Sequence, residues 1–234
     1  MLAYVYDEQG KLSLKDMPRP TAKNNTAVIK VGACSICGTD FRTYMHGSSK
    51  ITPPRIIGHE AVGTIVEVGR DVIGFSKGER VAVAPAIGCG ECYPCQSGYP
   101  NMCDDLQTIG FQFDGGFAEY MEIPEIAFKM GNVNKLGSLI SDEEASLAEP
   151  TACVVNAQEF LNIKKGDYVA VFGSGFIGCM HAELAFRSGA SKVIIIEVSE
   201  KRIKQAEELV PGIITINSTE KDLMTEIMDI TEGR

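Results

Sequence analysis

Between residue 1 and about residue 125, apolar positions come in short runs bounded by Gly and Pro: 26–34 (TAVIKVGAC), 61–69 (AVGTIVEVG), 79–85 (ERVAVAP) and 117–124 (FAEYMEIP). Runs of this length, rich in Val and Ile and closed by turn residues, predict the strands of a compact β-rich domain. From about residue 142 the pattern changes. The stretches 142–161 (DEEASLAEPTACVVNAQEFL) and 168–190 (YVAVFGSGFIGCMHAELAFRSGA) carry apolar residues at helical intervals, the second after a short apolar strand. The pattern predicts strand 168–172, helix 176–188, strand 192–198, helix 200–210, strand 213–217 and helix 219–231. Such alternation builds a parallel sheet, so the fold class is α/β, with domains at 1–150 and 151–234.

In a doubly wound sheet of order 3-2-1-4-5-6, three strands make only the first mononucleotide half. Strand 168–172 then becomes a hydrophobic edge where the centre of the sheet should lie, and such an edge invites pairing with another chain. The chain is therefore expected to be part of a longer protein.

Composition narrows the partners. With 22 Lys+Arg against 31 Asp+Glu, the net charge is −9, and 44% hydrophobic with 23% charged residues suits a folded soluble chain. An acidic surface lacks the basic footprint that neutralises phosphates, so nucleic acid and anionic membranes are not expected partners; small molecules are. The first twenty residues mix charges into any apolar stretch, and no apolar run approaches the roughly 20 residues of a membrane helix. A cytoplasmic location is expected, where eight cysteines serve metal or catalysis rather than disulfides.

Four of them, Cys89, Cys92, Cys95 and Cys103, lie on one glycine-containing loop, GCGECYPCQSGYPNMC. Short spacers that fold back on themselves match the tetrahedral demand of a closed structural zinc site. An iron–sulfur cluster is the alternative, but the x3 spacing and the Pro after the fourth Cys are absent. A second set combines Cys37 in SICGTD, His59 and Glu60 in IIGHEAVG, and Glu149 in SLAEPTACVV. Thiolate, imidazole and carboxylate with one position open is what a catalytic zinc requires. Taken singly these are weak signals: a lone Cys is usually a small buried hydrophobe, a lone His more often a hydrogen-bonded structural residue, and Cys34-x2-Cys37 alone suits a redox pair.

The third signal is Gly173-Ser174-Gly175-Phe176-Ile177-Gly178, between the strand YVAVF and the helix FIGCMHAELAF. Its glycines permit a tight turn and close approach to a pyrophosphate, and the helix N-terminus attracts the phosphate charge. Glu197, ending the strand KVIIIE, is placed to accept hydrogen bonds from the ribose of NAD and to repel the 2′-phosphate of NADP. Arg202 is a counterweight, since a nearby Arg can hold that phosphate.

These three signals, in this order, make the sequence resemble the zinc-dependent medium-chain alcohol dehydrogenases. GHE with the later AEP resembles the polyol branch, the sorbitol or L-iditol dehydrogenases, with threonine and butanediol dehydrogenases as near relatives. The resemblance implies a GroES-like zinc-binding catalytic domain over 1–150 and the first half of a Rossmann NAD-binding domain over 151–234. It implies two Zn2+ per chain, with NAD favoured over NADP, a secondary alcohol or polyol substrate, and a homodimer or homotetramer. Cys37, His59 and one glutamate would bind the catalytic zinc, Glu60 directly and Glu149 directly or through water. Thr39 would be the proton-relay hydroxyl.

The sequence departs from its relatives in one place. Where many have a relay histidine five residues after the cysteine ligand, this chain has Arg42, which cannot deprotonate in a protein, so water or His46 must serve. Tyr44 is a weaker substrate-pocket candidate. Asp40 and His181 read as structural, and Cys34, Cys153 and Cys179 as small buried side chains. With half a cofactor domain, the chain alone is expected to bind metal but to turn over alcohol poorly. A noncatalytic zinc- and nucleotide-binding protein is the competing reading.

Overall fold

Alternation along β-rich runs becomes sheet wherever one face can be buried, and the chain does this twice. A computed structural model describes residues 1–233, and the chain divides into two units, Met1–Glu149 and Pro150–Arg234. In the first unit the strands are β1 (Leu2–Glu8), β2 (Lys11–Asp16), β3 (Ala27–Ser35), β4 (Arg55–Ile56), β5 (Glu60–Val68), β6 (Arg80–Val83), β7 (Ala86–Ile87), β8 (Gln107–Thr108), β9 (Tyr120–Ile123) and β10 (Val133–Lys135). Its helices are α1 (Gly38–His46), α2 (Tyr93–Gln96), α3 (Glu125–Lys129) and α4 (Asp142–Ser146), after which α5 (Ala148–Glu159) begins.

The strands form an antiparallel five-stranded sheet of order β10-β6-β5-β3-β9, a three-stranded sheet β2-β1-β4 and the small ribbon β7-β8. Period-2 alternation sets what is buried. Ala27 and Ile29 of β3 stand opposite Ile123 and Met121 of β9, Ile29 also faces Ile65 of β5, and all five lie in one apolar core. Two irregularities in the β3–β5 register end with Ser35 opposite Glu60. That pairing matters below.

The stretch 142–161 folds mainly as two helices, α4 and α5. Ser141 caps α4 by accepting the N–H of Glu144, whose carboxylate returns to Ser141 N. At Leu147 the chain leaves α-helical bonding, its N–H going to Glu144 O at 3.1 Å, and Pro150, which has no N–H to give, sits in the first turn of α5 where none is needed.

In the second unit, β11 (Tyr168–Phe172), β12 (Lys192–Glu197) and β13 (Ile214–Asn217) form a parallel sheet in that order, alternating with α6 (Phe176–Arg187), α7 (Glu200–Leu209) and α8 (Leu223–Thr231). The middle strand is covered on both faces: Val193 and Ile195 pack with Ala182, Ala185 and Ala206, while Ile194 and Ile196 pack with Ile216 and the apolar side of α8. β11 is an edge, with Phe172 73% exposed. The last helix starts at Leu223 instead of 219, because the Asp222 carboxylate accepts the N–H of Thr225 and Asn217 organises the preceding residues into a turn. Cys153 is exposed, against its expected burial, because Val154 and Gln158 form the inward side of α5 and Cys153 points elsewhere. Among the described residues, no helix is long and apolar enough to cross a membrane.

Candidate functional site

The loop between β7 and β8 brings its four cysteines together. The sulfurs of Cys89, Cys92, Cys95 and Cys103 all lie within 4.8 Å of one another, and Cys92 Sγ is 3.7 Å from Cys103 Sγ. Zn–S bonds of about 2.3 Å in a tetrahedron place sulfurs about 3.8 Å apart, so the cluster fits zinc. Backbone donors shape it: Cys89 N–H points to Cys103 Sγ at 3.2 Å, and the N–H groups of Glu91 and Cys92 point to Cys89 Sγ at 3.4 Å. Gly90 takes φ +81°, which a side chain would strain, and a Cβ on Gly88 would come within 2.8 Å of Cys95 Sγ. Hydrogen bonding from the Cys95 backbone draws the Cys92 thiol down to about 7, whereas burial pushes Cys95 up to about 12. For all four to be thiolates at once, a cation would have to lie between them.

The second cluster forms where β3 ends and β5 begins. Cys37 caps the N-terminus of α1, and its N–H goes to Asp40 Oδ2 at 3.0 Å. His59 and Glu60 follow Gly58, whose φ of +93° and contact with the Phe117 ring leave no room for a Cβ. Ligand atoms of Cys37, His59 and Glu60 lie within 4.8 Å of one another, with His59 and Glu60 buried. One soft thiolate, one imidazole and one carboxylate match the donor set of a zinc site with an open position.

Asp40 is the residue that sequence reading missed. Buried at 3% exposure, it sets Oδ1 3.5 Å from His59 Nδ1, which has no closer partner. That contact leaves Nε2 as the ring's ligand atom, the usual arrangement behind a metal-bound histidine. Burial opposes charge on His59, but Asp40 and Cys37 outweigh it and lift its pKa to about 10. The Phe111 ring meets the imidazole edge-on at 6.1 Å. The Cys-x-x-Asp spacing of a helix N-cap with an acid at its third position was the available clue.

Burial also raises the Glu60 carboxyl, as does the charge of Glu149, while His59 opposes them. Glu149 is thus within electrostatic reach, though it is outside the tight set of three. Cys34 stands apart too: burial pushes its thiol up to about 12, and its nearest hydrogen-bond partner is Ser35 O. Thr39 is half-buried in the first turn of α1, and Arg42, Tyr44 and His46 are exposed along the same helix.

In the second unit, Gly173 turns the chain with φ +92° and donates its N–H to Ile196 O, tying the loop to β12. Gly175 caps α6, and a Cβ on Gly178 would collide with the Gly173 carbonyl. Phe176 and Ile177 are exposed, as is Arg202 on α7. Glu197 is buried, and its carboxylate is fully committed: Oε2 accepts Ser174 N–H and Oγ–H, and Oε1 accepts the N–H groups of Val198 and Ser199. These donors, Ser174 N–H first, hold its pKa at about 2. His181 lies elsewhere on α6, its carbonyl taken by Gln158 Nε2 at 2.7 Å.

Residues 23–132 match the alcohol dehydrogenase GroES-like domain. L-threonine 3-dehydrogenase of Pyrococcus abyssi is 38% identical over 93% of this chain and 61% of its own length. Sorbitol dehydrogenase of Bacillus subtilis is 32% identical over 100% of this chain and 66% of its own. The structure of 2R,3R-butanediol dehydrogenase from Bacillus subtilis superposes with a TM-score of 0.88 at 31% identity, covering 99% of this chain and 67% of that one. The chain spans about two thirds of the length of these relatives.

Proposed function

The chain belongs to the zinc-dependent medium-chain alcohol dehydrogenases, and we propose that it serves oxidation of a secondary alcohol or polyol with NAD+. The observation that carries this reading is the convergence of Cys37, His59 and Glu60 donor atoms within 4.8 Å of one another, with Asp40 behind the imidazole. When bound, zinc supplies Lewis acidity toward an alcohol oxygen and the nicotinamide supplies a hydride acceptor.

The chain's own residues do the rest. Cys37, His59 and Glu60 hold the metal, and Glu149 stands by as a further carboxylate. Thr39 takes the substrate's hydroxyl proton, since a hydroxyl accepts and donates at once, and Arg42 leaves the onward transfer to His46 or water. The N-terminus of α6 and the turn at Gly173 bind the pyrophosphate through backbone N–H groups. Glu197 engages the ribose by exchanging a bond it now makes with Ser174, and its negative charge disfavours a 2′-phosphate. A cytoplasmic homo-oligomer fits the acidic charge and the exposed edge of β11.

The test is reduction of NAD+ and NADP+ with sorbitol, xylitol, L-threonine and 2,3-butanediol, using both the 234-residue chain and the longest natural form of the protein. Turnover of the polyols with NAD+ is expected from the longest form, with little or none from the 234-residue chain. Absence of turnover on every substrate by the longest form, holding two zinc ions per chain, would overturn the reading in favour of a noncatalytic role.

A further inference from the structure

The three segments that carry the proposed metal ligands meet at one residue that is not a ligand. Ser35 is the last residue of β3, two positions before Cys37, and in the antiparallel register it stands directly opposite Glu60. Its Oγ lies 2.6 Å from Oγ of Ser146, the last residue of α4 and three positions before Glu149. Ser146 spends its single proton on Glu143 O at 2.7 Å, so Ser35 must be the donor between the two hydroxyls. Ser146 is 5% exposed, which shields the bond from water.

The far end of α4 is held as firmly. Arg80 donates through Nε and Nη2 to Asp142 Oδ1 at 3.0 and 2.5 Å, and Gly32 of β3 lacks the Cβ that would collide with the Asp142 carboxylate. α4 therefore lies against β3 and β5 with one polar tie at each end, and the tie at its C-terminal end leads into Glu149.

We propose that the Ser35–Ser146 hydroxyl pair is a positioning device that holds the Glu149 carboxylate within reach of the metal site formed by Cys37, His59 and Glu60. The inference rests on the metal-site reading above. Neither serine touches the metal; both act through the Glu149 segment.

The test is Co2+ binding to the full chain, with the ligand-field bands of the one-thiolate site isolated by subtracting the spectrum of Cys37→Ser. Bands of the four-thiolate loop report that each variant is folded. Ser35→Ala and Ser146→Ala are each expected to weaken Co2+ at this site about tenfold and to alter its bands, as loss of outer partners of metal ligands does. Ser35→Thr, which keeps the hydroxyl, should restore both. In a Glu149→Gln background Ser35→Ala should have no further effect. Unchanged affinity and spectrum in both alanine variants, or a tenfold loss that persists with Glu149→Gln, would overturn the proposal while leaving the metal site standing. Absence of Cys37-dependent bands in the unmodified chain would instead overturn the metal-site reading, and this inference with it.

Discussion

Glu197 accepts both the N–H and the hydroxyl of Ser174, each at 3.0 Å, so the end of β12 braces the glycine loop that opens α6. Ser174 is buried, and the two remaining bonds of the carboxylate go to the N–H groups of Val198 and Ser199. A residue expected to read a ribose is thus already part of the loop's own support.

The brace makes stability depend on pH in a defined direction. The Glu197 carboxyl is held at about 2, below its ordinary value of 4.5, so its contribution is present above 4.5 and is lost as pH falls toward 2. Glu197→Gln should cost about 1–3 kcal/mol at neutral pH. Urea unfolding from pH 7 to pH 2 should show the gap between the two proteins closing below about pH 4.5. A gap that stays constant to pH 2 would contradict this.

Gly178→Ala should damage the same loop from the other side. The added Cβ runs into the Gly173 carbonyl, a backbone atom that can yield only if the turn shifts. Binding of NAD+ is expected to weaken tenfold or more, at least about 1.4 kcal/mol. Calorimetric titration of the variant at the affinity of the unmodified chain would refute the role given to this turn.

Asp40→Asn should weaken metal at the Cys37–His59–Glu60 site by about 10–100-fold, since the amide no longer secures the His59 orientation through a charged contact. The four-cysteine loop shares no residue with that site and should retain its metal. Competition with a chelator, read by elemental analysis, separates the two sites. Equal loss from both would point to general unfolding.

Two metal ions per chain are expected, and the two clusters should lose them independently. Cys37→Ser should reduce the count to one with little change in melting temperature. Cys103→Ser should also reduce it to one but lower the melting temperature clearly, because residues 88–106 contribute nothing to the apolar core of that unit and bonds to a metal would be the main tie across the loop. A melting temperature unaffected by Cys103→Ser would argue against a structural role for that site.

Much of this was legible in the residues alone. Apolar runs separated by Gly and Pro marked β3, β5, β6 and β9, and alternation of strand and helix marked β11 to α8, because burial of one or both faces leaves a periodic trace. Cys89, Cys92, Cys95 and Cys103 announced a cluster of sulfurs by spacing, since short covalent spacers bring them together whatever the rest of the fold does. The Gly173–Gly178 loop was legible for the same reason: its constraints are local.

What the tertiary structure decided is everything that joins distant segments. Strand order β10-β6-β5-β3-β9 and the two irregularities in β3 place Ser35 opposite Glu60, and neither follows from local pattern. Asp40 read as structural until its second oxygen was seen on His59, nineteen positions away in sequence. That Glu197 also braces the glycine loop, accepting four hydrogen bonds from Ser174, Val198 and Ser199, is visible only in the folded chain. Sequence by itself determines which side chains can bind metal or phosphate, because that is a property of each residue and its near neighbours. Which of them meet, and which are already spoken for, is settled only when packing closes the distances and each polar atom must find its partner.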